Sequence, residues 1–321
     1  TPTYPFDGFD VHPIYDDFTS PTFDDRHNLI KGGSWIATGN ESRHASRYAF
    51  RRHFFQHAGF RYVVTDTPVT NPVSAYETDT MVSQYAEFHY GDVALGVPNF
   101  PQTMAQLAID FHRRHGNGTQ GRALDLGCAT GRASFELAGT FDKVIGIDFS
   151  ARFIQVGIRL VETGAIRYTI PEEGELVSYH ERRLDCLGLA ETAQRVEFWQ
   201  GDACNLKDIF GGFDLILAAN LIDRLYAPRR FLDAVADRLN PGGLLVLASP
   251  YTWLEEYTKR AEWIGGFKKD GESHSTLDGL KEILGRNFTL VEDPLSVPFV
   301  IRETRRKHQH TLSEVTVWKR K

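Results

Sequence analysis

One run constrains this chain more than any other: Ala123-Leu124-Asp125-Leu126-Gly127-Cys128-Ala129-Thr130-Gly131-Arg132. A short apolar stretch holds an acid near its end, and two glycines then frame a turn. Glycine is placed where the backbone must adopt φ > 0 or come close to a ligand. A strand, a tight turn and a helix are therefore expected to meet here. In open α/β sheets, ligands lie beyond the carboxyl ends of the strands.

The flanking sequence supplies such a sheet. Asn99 and Pro101 cap and open a helix, with Met104, Leu107, Ala108 and Phe111 on one face. Apolar strands over 122–126, 143–147, 195–200, 213–219 and 244–248 alternate with helices over 131–138, 151–162 and 228–239. Short apolar runs mark strands covered on both faces, and the alternation predicts a parallel sheet between helices. A helix over 276–284 leads to strands over 288–292, 298–301 and 314–318. The last two lack an intervening helix and should pair antiparallel. Residues 165–189 break the alternation, with 166–170 and 176–180 flanking a polar Pro-Glu-Glu-Gly-Glu. This predicts an inserted β-hairpin, read as surface decoration in preference to a lid or dimer contact.

Residues 1–64 are turn-rich and aromatic, with no helical period, and read as loops around two or three short strands. So few strands cannot bury a core, so the segment is expected to be the end of a domain that begins upstream. Residues 65–75, with Pro68 and Pro72, read as a linker, and residues 76–321 as a second domain. His53 and His57 have i, i+4 spacing, but Arg51 and Arg52 flank them and no third ligand stands nearby, so no metal is expected.

Composition removes whole classes. At 41% apolar and 12% aromatic residues, disorder along the whole chain is excluded. No apolar run reaches the length of a membrane span, and the first residues carry no pattern of a secretory leader. Cys128, Cys186 and Cys204 form neither a disulfide framework nor a zinc spacing, which suits a cytoplasmic location. A net charge of −6 argues against a nucleic-acid partner.

The turn itself narrows the ligand. A dinucleotide fingerprint needs three glycines; the matching positions are Gly127, Ala129 and Arg132, and no phosphate-loop lysine follows. Asp148 ends the second strand, where an acid can accept both ribose hydroxyls. Asp202, in Gly201-Asp202-Ala203 after the third strand, is an acceptor for an adenine amino group. Three acidic strand ends suit a nucleoside with a cationic tail and repel a pyrophosphate.

These motifs, with Asn240-Pro241-Gly242-Gly243 before the fifth strand, resemble the class I S-adenosylmethionine-dependent methyltransferases from about residue 80 onward. The resemblance implies a Rossmann-like fold with a seven-stranded, mostly parallel sheet and an antiparallel last strand. It implies that Asp125, Gly127, Cys128, Gly131, Asp148, Phe149, Asp202, Ala203 and Asn220 line S-adenosylmethionine, with S-adenosylhomocysteine as product. The Asn/Asp-Pro-Pro-Tyr/Phe run of nucleic-acid amino-methyltransferases is missing: the fourth strand leads into Asn220-Leu221-Ile222-Asp223.

Acceptor-side candidates follow. Asp223 and His89 are candidate bases, and Tyr85 or Tyr90 could orient a ring. The segment around them, Ser83 to Gly91, is either a packed helix or an aromatic face over a sulfonium. Tyr251, Trp253 and Trp263 either wall a flat substrate or serve as core aromatics. Arg224 and Arg302 could receive a substrate carboxylate.

Upstream, Gly32-Gly33-Ser34-Trp35, Ser46-Arg47-Tyr48-Ala49-Phe50-Arg51 and Gly59-Phe60-Arg61 resemble the tail of a formylglycine-generating-enzyme-like domain of the iron-dependent sulfoxide synthases. The order of parts resembles the bifunctional ovothiol-biosynthesis enzymes. That family joins a 5-histidylcysteine sulfoxide synthase to a 4-mercaptohistidine N1-methyltransferase. The resemblance implies methyl transfer to a ring nitrogen of a small molecule, 5-thiohistidine, giving ovothiol A, in a chain joined to the synthase. Two alternatives remain open at this level: another small amino acid or amine as acceptor, and a non-catalytic module that binds S-adenosylmethionine.

Overall fold

A computed structural model describes residues 79–321 and, upstream, the backbone of 27–31 and 47–51. The chain divides into two units, Thr1–Ser74 and Ala75–Lys321. In the first, β1 (His27–Lys31) pairs antiparallel with β2 (Arg47–Arg51), His27 opposite Arg51. The readings placed on Gly32–Trp35, His53, His57, 59–61 and 65–75 lie outside the described residues.

The second unit opens with helices α1 (Asp79–Tyr90) and α2 (Phe100–His115). Asn99 caps α2 by accepting from the Gln102 N–H at 3.0 Å, and its amide donates to the Phe88 and His89 carbonyls. One residue thus starts α2 and ties down the end of α1. The alternation follows as β3 (Arg122–Leu126), α3 (Arg132–Leu137), β4 (Lys143–Asp148) and α4 (Ala151–Thr163). A hairpin comes next, β5 (Ala165–Glu173) and β6 (Leu176–Arg183), then β7 (Val196–Gln200) and β8 (Phe213–Ala219). α5 (Pro228–Ala234) and β9 (Leu239–Ser249) lead to a small hairpin, β10 (Phe267–Lys269) and β11 (Glu272–His274). α6 (Thr276–Leu284), β12 (Phe288–Leu290), β13 (Leu295–Arg302) and β14 (His308–Arg320) complete it.

The main sheet runs β12-β14-β9-β8-β3-β4-β7, with β13 also on β14. Strands β9, β8, β3, β4 and β7 are mutually parallel, and β14 is antiparallel to β9. The sheet holds eight strands where seven were expected. The reason is the length of β14: β12 and β13 share one flank end to end, with Leu290 opposite Trp318 and Leu295 opposite Val315. The antiparallel β13–β14 pair is as expected. Helix 228–239 is shorter than its pattern, because a 3-10 turn, Val235–Arg238, follows α5 and β9 begins at Leu239.

Apolar side chains bury on both faces of the sheet. On one face Met104, Ala108 and Phe111 of α2 pack with Val246, Val315 and Val317; on the other Phe231, Leu280 and Ile283 pack with Leu245, Leu247 and Trp318. Burial of these rows on both faces is the main stabilising term. The inserted hairpin is not mere decoration. Ile166, Tyr168 and Ile170, alternate residues of β5, are buried in the first of these cores, and the Tyr168 hydroxyl donates to Glu87 of α1 at 2.5 Å. The hairpin therefore backs α1.

Candidate active site

The Gly127–Gly131 turn links the carboxyl end of β3 to α3. Gly127 has φ +76°, and a Cβ there would crowd Leu221 at 2.9 Å. Gly131 has φ +90°, and a Cβ there would run into the Phe198 ring. Side chains are barred at both positions by conformation and by space. The backbone amides of the turn are already in use. Gly127 and Cys128 both donate to the Ile147 carbonyl, Gly131 to that of Cys128, and Ala129 to Asp148 Oδ2 at 2.9 Å. The Arg132 N–H points at His89 Nδ1, 3.3 Å away. These five amides are therefore not free to cradle a phosphate, in contrast to a phosphate loop.

Acceptors dominate the rim instead. Asp148 takes N–H bonds from Ala129 and Ser150 (2.8 Å), which fix its carboxylate at the end of β4. Asp202 accepts from the Cys204 N–H and from the Tyr226 hydroxyl, both at 2.8 Å. A carboxylate oxygen accepts up to two hydrogen bonds. Between β4 and α4, Phe149 is 66% exposed, an apolar ring on an acidic rim; Ala203 lies half-buried beside Asp202. These residues fit S-adenosylmethionine: acceptors for ribose and adenine donors, an apolar face for the base, and carboxylates opposite a cationic tail. Asp125 lies beneath the turn. It is buried, accepts from the Ser134 hydroxyl at 2.7 Å, and its carboxyl is pushed up to about 7 by burial, opposed by that bond and reinforced by Asp148. The Cys128 thiol is buried too and pushed up by burial and by Asp125 and Asp148, which makes it a poor nucleophile.

Helix α1 covers the turn. The Tyr90 hydroxyl donates to the Thr130 carbonyl at 2.6 Å, and the Thr130 hydroxyl to the Tyr85 carbonyl at 3.4 Å. Tyr85 and His89 share one helical face, i and i+4, and their rings lie 6.2 Å apart. Burial and the nearby Arg132 hold His89 down to about 3, so it is neutral at physiological pH, with Nδ1 as acceptor and Nε2 carrying the proton. Tyr90 is buried and serves to fasten the helix, not to reach a substrate.

Several acceptor-side candidates are otherwise engaged. Asp223 is 1% exposed and takes bonds from Ser249 (2.9 Å), Arg224 (2.8 Å) and Thr252 (2.9 Å). It anchors the loop after β8 through these three bonds. Arg224 is spent on that carboxylate and on Thr252, so it does not await a substrate carboxylate. Arg302 bridges Glu87 (3.3 Å) and Glu172 (2.6 Å). Glu87 lies two residues from both Tyr85 and His89, on the opposite face of α1, so Arg302 serves the hairpin side. Trp253 and Trp263 stack at 6.1 Å, with their indole N–H groups donating to Thr276 and the Thr258 carbonyl. That pairing gives them a packing role.

The structure adds Ser313 and Glu314, which motif reading missed, as partners of Asn220 and Tyr251, which it had named. Asn220 Oδ1 accepts from Ser313 at 2.6 Å, and the Tyr251 hydroxyl donates to Glu314 at 2.9 Å. Ala129, Asn220 and Tyr251 have φ of +45°, +53° and +54°. They follow β3, β8 and β9, so three of the five non-glycine residues with positive φ among the described residues lie at the carboxyl edge of the sheet, the others being Leu95 and Asp270. Among the described residues, no group of three or more His, Cys, Asp or Glu is placed to hold a metal ion, and no helix is long and apolar enough to cross a membrane.

The family model described as a methyltransferase domain matches residues 101–292. A Saccharomyces cerevisiae protein named "Probable S-adenosylmethionine-dependent methyltransferase" is 27% identical over 150 residues, 45% of this chain and 46% of that protein. The chain thus matches about half the length of that curated relative. Among solved structures, the magnesium protoporphyrin IX methyltransferase of Synechocystis with bound S-adenosylhomocysteine has a TM-score of 0.46 at 17% identity, over 77% of this chain and 97% of that one. The N-methyltransferase NodS of Bradyrhizobium japonicum has a TM-score of 0.43 at 17% identity, over 76% and 99%.

Proposed function

The chain belongs to the methyltransferase domain family and uses S-adenosylmethionine, and from that premise we propose that it methylates a ring nitrogen of 5-thiohistidine to give ovothiol A. The observation that carries this reading is the set of motifs on both sides of residue 75, in the order found in the bifunctional ovothiol-biosynthesis enzymes. Residues 1–64 are then the tail of the sulfoxide synthase domain, and the full protein couples the two reactions in the cytoplasm.

In this reading the Gly127–Gly131 turn with Cys128 holds the methionine part of the cofactor. Asp148 holds the ribose, and Phe149, Asp202 and Ala203 hold the adenine. S-adenosylmethionine, when bound, supplies a methyl group already activated on a sulfonium. The chain's task is to align the acceptor and exclude water. Tyr85, fastened over the turn with α1, presents an aromatic face suited to a cation. His89 is held neutral with a fixed tautomer, which suits a hydrogen-bond donor from Nε2 better than a base. The acceptor's sulfur is the stronger nucleophile, so selectivity for nitrogen must come from positioning.

The test is competition. Purified protein is given S-adenosylmethionine with equal amounts of 5-thiohistidine, histidine and cysteine, and products are read by mass spectrometry. Methyl gain on the thiohistidine ring alone supports the assignment. Methyl gain on sulfur or on plain histidine refutes it while leaving a methyltransferase. Cofactor binding without any methyl gain favours a non-catalytic module.

A further inference from the structure

Among the acidic side chains at the carboxyl edge of the sheet, Glu314 stands apart. Asp223 is saturated by three donors, and Asp125 is buried against Ser134. Glu314 is half-buried, and among the described residues the one hydrogen bond to its side chain comes from Tyr251, with no Lys or Arg in an ion pair. Its register neighbours on β9 and β13 are Ser249 and Ser296, both uncharged.

Its position follows from β14. That strand runs antiparallel beside β9 and places Glu314 level with Ser249, the last residue of β9. The next residue back, Ser313, bonds Asn220 at the end of β8. Leu221 in turn packs where Gly127 lacks a Cβ. Ser313 and Glu314 face opposite sides of β14, so Glu314 is reached along the other face: Asp223, two residues after Leu221, accepts from Ser249, and Tyr251, whose N–H donates to Ser249, donates its hydroxyl to Glu314. Tyr251 is held at φ +54° by a 3.0 Å bond from its N–H to Ser249 Oγ and by its hydroxyl on Glu314. A bulky residue keeps such a conformation where the surroundings impose it, and these sites cluster with function.

We infer that Glu314, aimed by Tyr251, is the carboxylate that accepts the N–H of the acceptor's imidazole and so selects which ring nitrogen is methylated. The inference rests on the function proposed above. A neutral imidazole carries one N–H and one lone pair. A carboxylate that grips the N–H leaves the other nitrogen with its lone pair free. The nitrogen–methyl bond forms as the donor's sulfur–methyl bond breaks and the sulfonium becomes a neutral thioether. The remaining N–H proton passes to Glu314 and then to solvent, so charge and atoms balance.

The experiment uses Glu314→Gln, Glu314→Asp and Tyr251→Phe in the full chain, with cofactor affinity measured by calorimetry. The methylated atom is located by NMR. Glu314→Gln should keep cofactor affinity within about twofold and lose about 100-fold in kcat/KM, the low end of proton-transfer effects. Its residual product should be spread over both nitrogens or sulfur. Glu314→Asp should recover part of the rate and restore a single product; Tyr251→Phe should lose about tenfold with some spread. A Glu314→Gln protein with unchanged rate and one methylated nitrogen overturns the inference. Should that variant lose cofactor binding through misfolding, the other two decide: unchanged rate and product in both overturns it. A wild-type protein that methylates no ring nitrogen contradicts the proposed function instead, before any variant is made.

Discussion

The hydroxyl of Tyr90 and the carbonyl of Thr130 meet at 2.6 Å, forty residues apart in sequence, and this bond fastens helix α1 onto the turn that ends β3. Both residues are buried, so the carbonyl has no water to fall back on. Tyr90→Phe leaves it unpaired at a cost of about 1–3 kcal/mol. The expected outcome is a lower midpoint in thermal unfolding and weaker S-adenosylmethionine binding by calorimetry. A variant with both values unchanged would show that α1 is held by packing alone.

Asp148 fixes the turn and, in the proposed site, the ribose. Asp148→Ala removes a charged acceptor from the Ala129 and Ser150 amides. Charged hydrogen bonds contribute about 1.5–3 kcal/mol each, so cofactor affinity should fall at least tenfold. Titration calorimetry reads this directly; affinity within a factor of two of wild type would remove Asp148 from the site.

Two buried groups give opposite pH dependences. Asp125 has its carboxyl raised from 3.8 to about 7, so the folded state binds the extra proton and stability falls as pH rises from about 4 to 7. His89 has its imidazole lowered from 6.5 to about 3, so the unfolded state binds the extra proton and stability falls as pH drops from about 6.5 to 3. In the shared window the two slopes oppose each other. With the two nearly cancelling in the wild type, Asp125→Asn should leave a net gain in stability from pH 4 to pH 6.5, and His89→Gln a net loss. Denaturant midpoints across that range check both signs.

How much of this was legible beforehand depends on the kind of interaction. The turn, the parallel strands and the cap at Asn99 are local in sequence and appeared where their patterns placed them, except that β9 begins at Leu239 and takes in residues 240–243, expected before it. The hairpin after α4 was also readable, yet its burial was not, because Tyr168 meets Glu87 across 81 residues. Arg224 and Arg302 looked like free cations because sequence does not display a partner; Asp223 is adjacent and Glu172 is distant, and each claims its arginine. Glu314 opened a strand pattern that advertised only packing, and Ser313 stood just before it. Tyr251 gave no sign of its positive φ, since only glycine and asparagine betray that conformation in a sequence.

The Arg302 bridge yields a stability prediction. Arg302→Ala leaves Glu87 buried, still near Tyr168 and Arg182 but without its bond to β13. Breaking a buried pair by removing one partner costs about 3–5 kcal/mol, here reduced by the remaining donors. Urea unfolding should report a loss of about 2 kcal/mol, with the methylated atom of the product unchanged, because Arg302 serves the hairpin side of α1. A change in product position would place Arg302 in the acceptor site.

The central claim is nitrogen methylation of a thiohistidine ring. The most direct test supplies S-adenosylmethionine labelled with 13C on its methyl group and follows long-range carbon–proton and carbon–nitrogen couplings in the product. The account predicts one labelled methyl, coupled to a single imidazole nitrogen of 5-thiohistidine. A label on sulfur, or none on the ring, would contradict it.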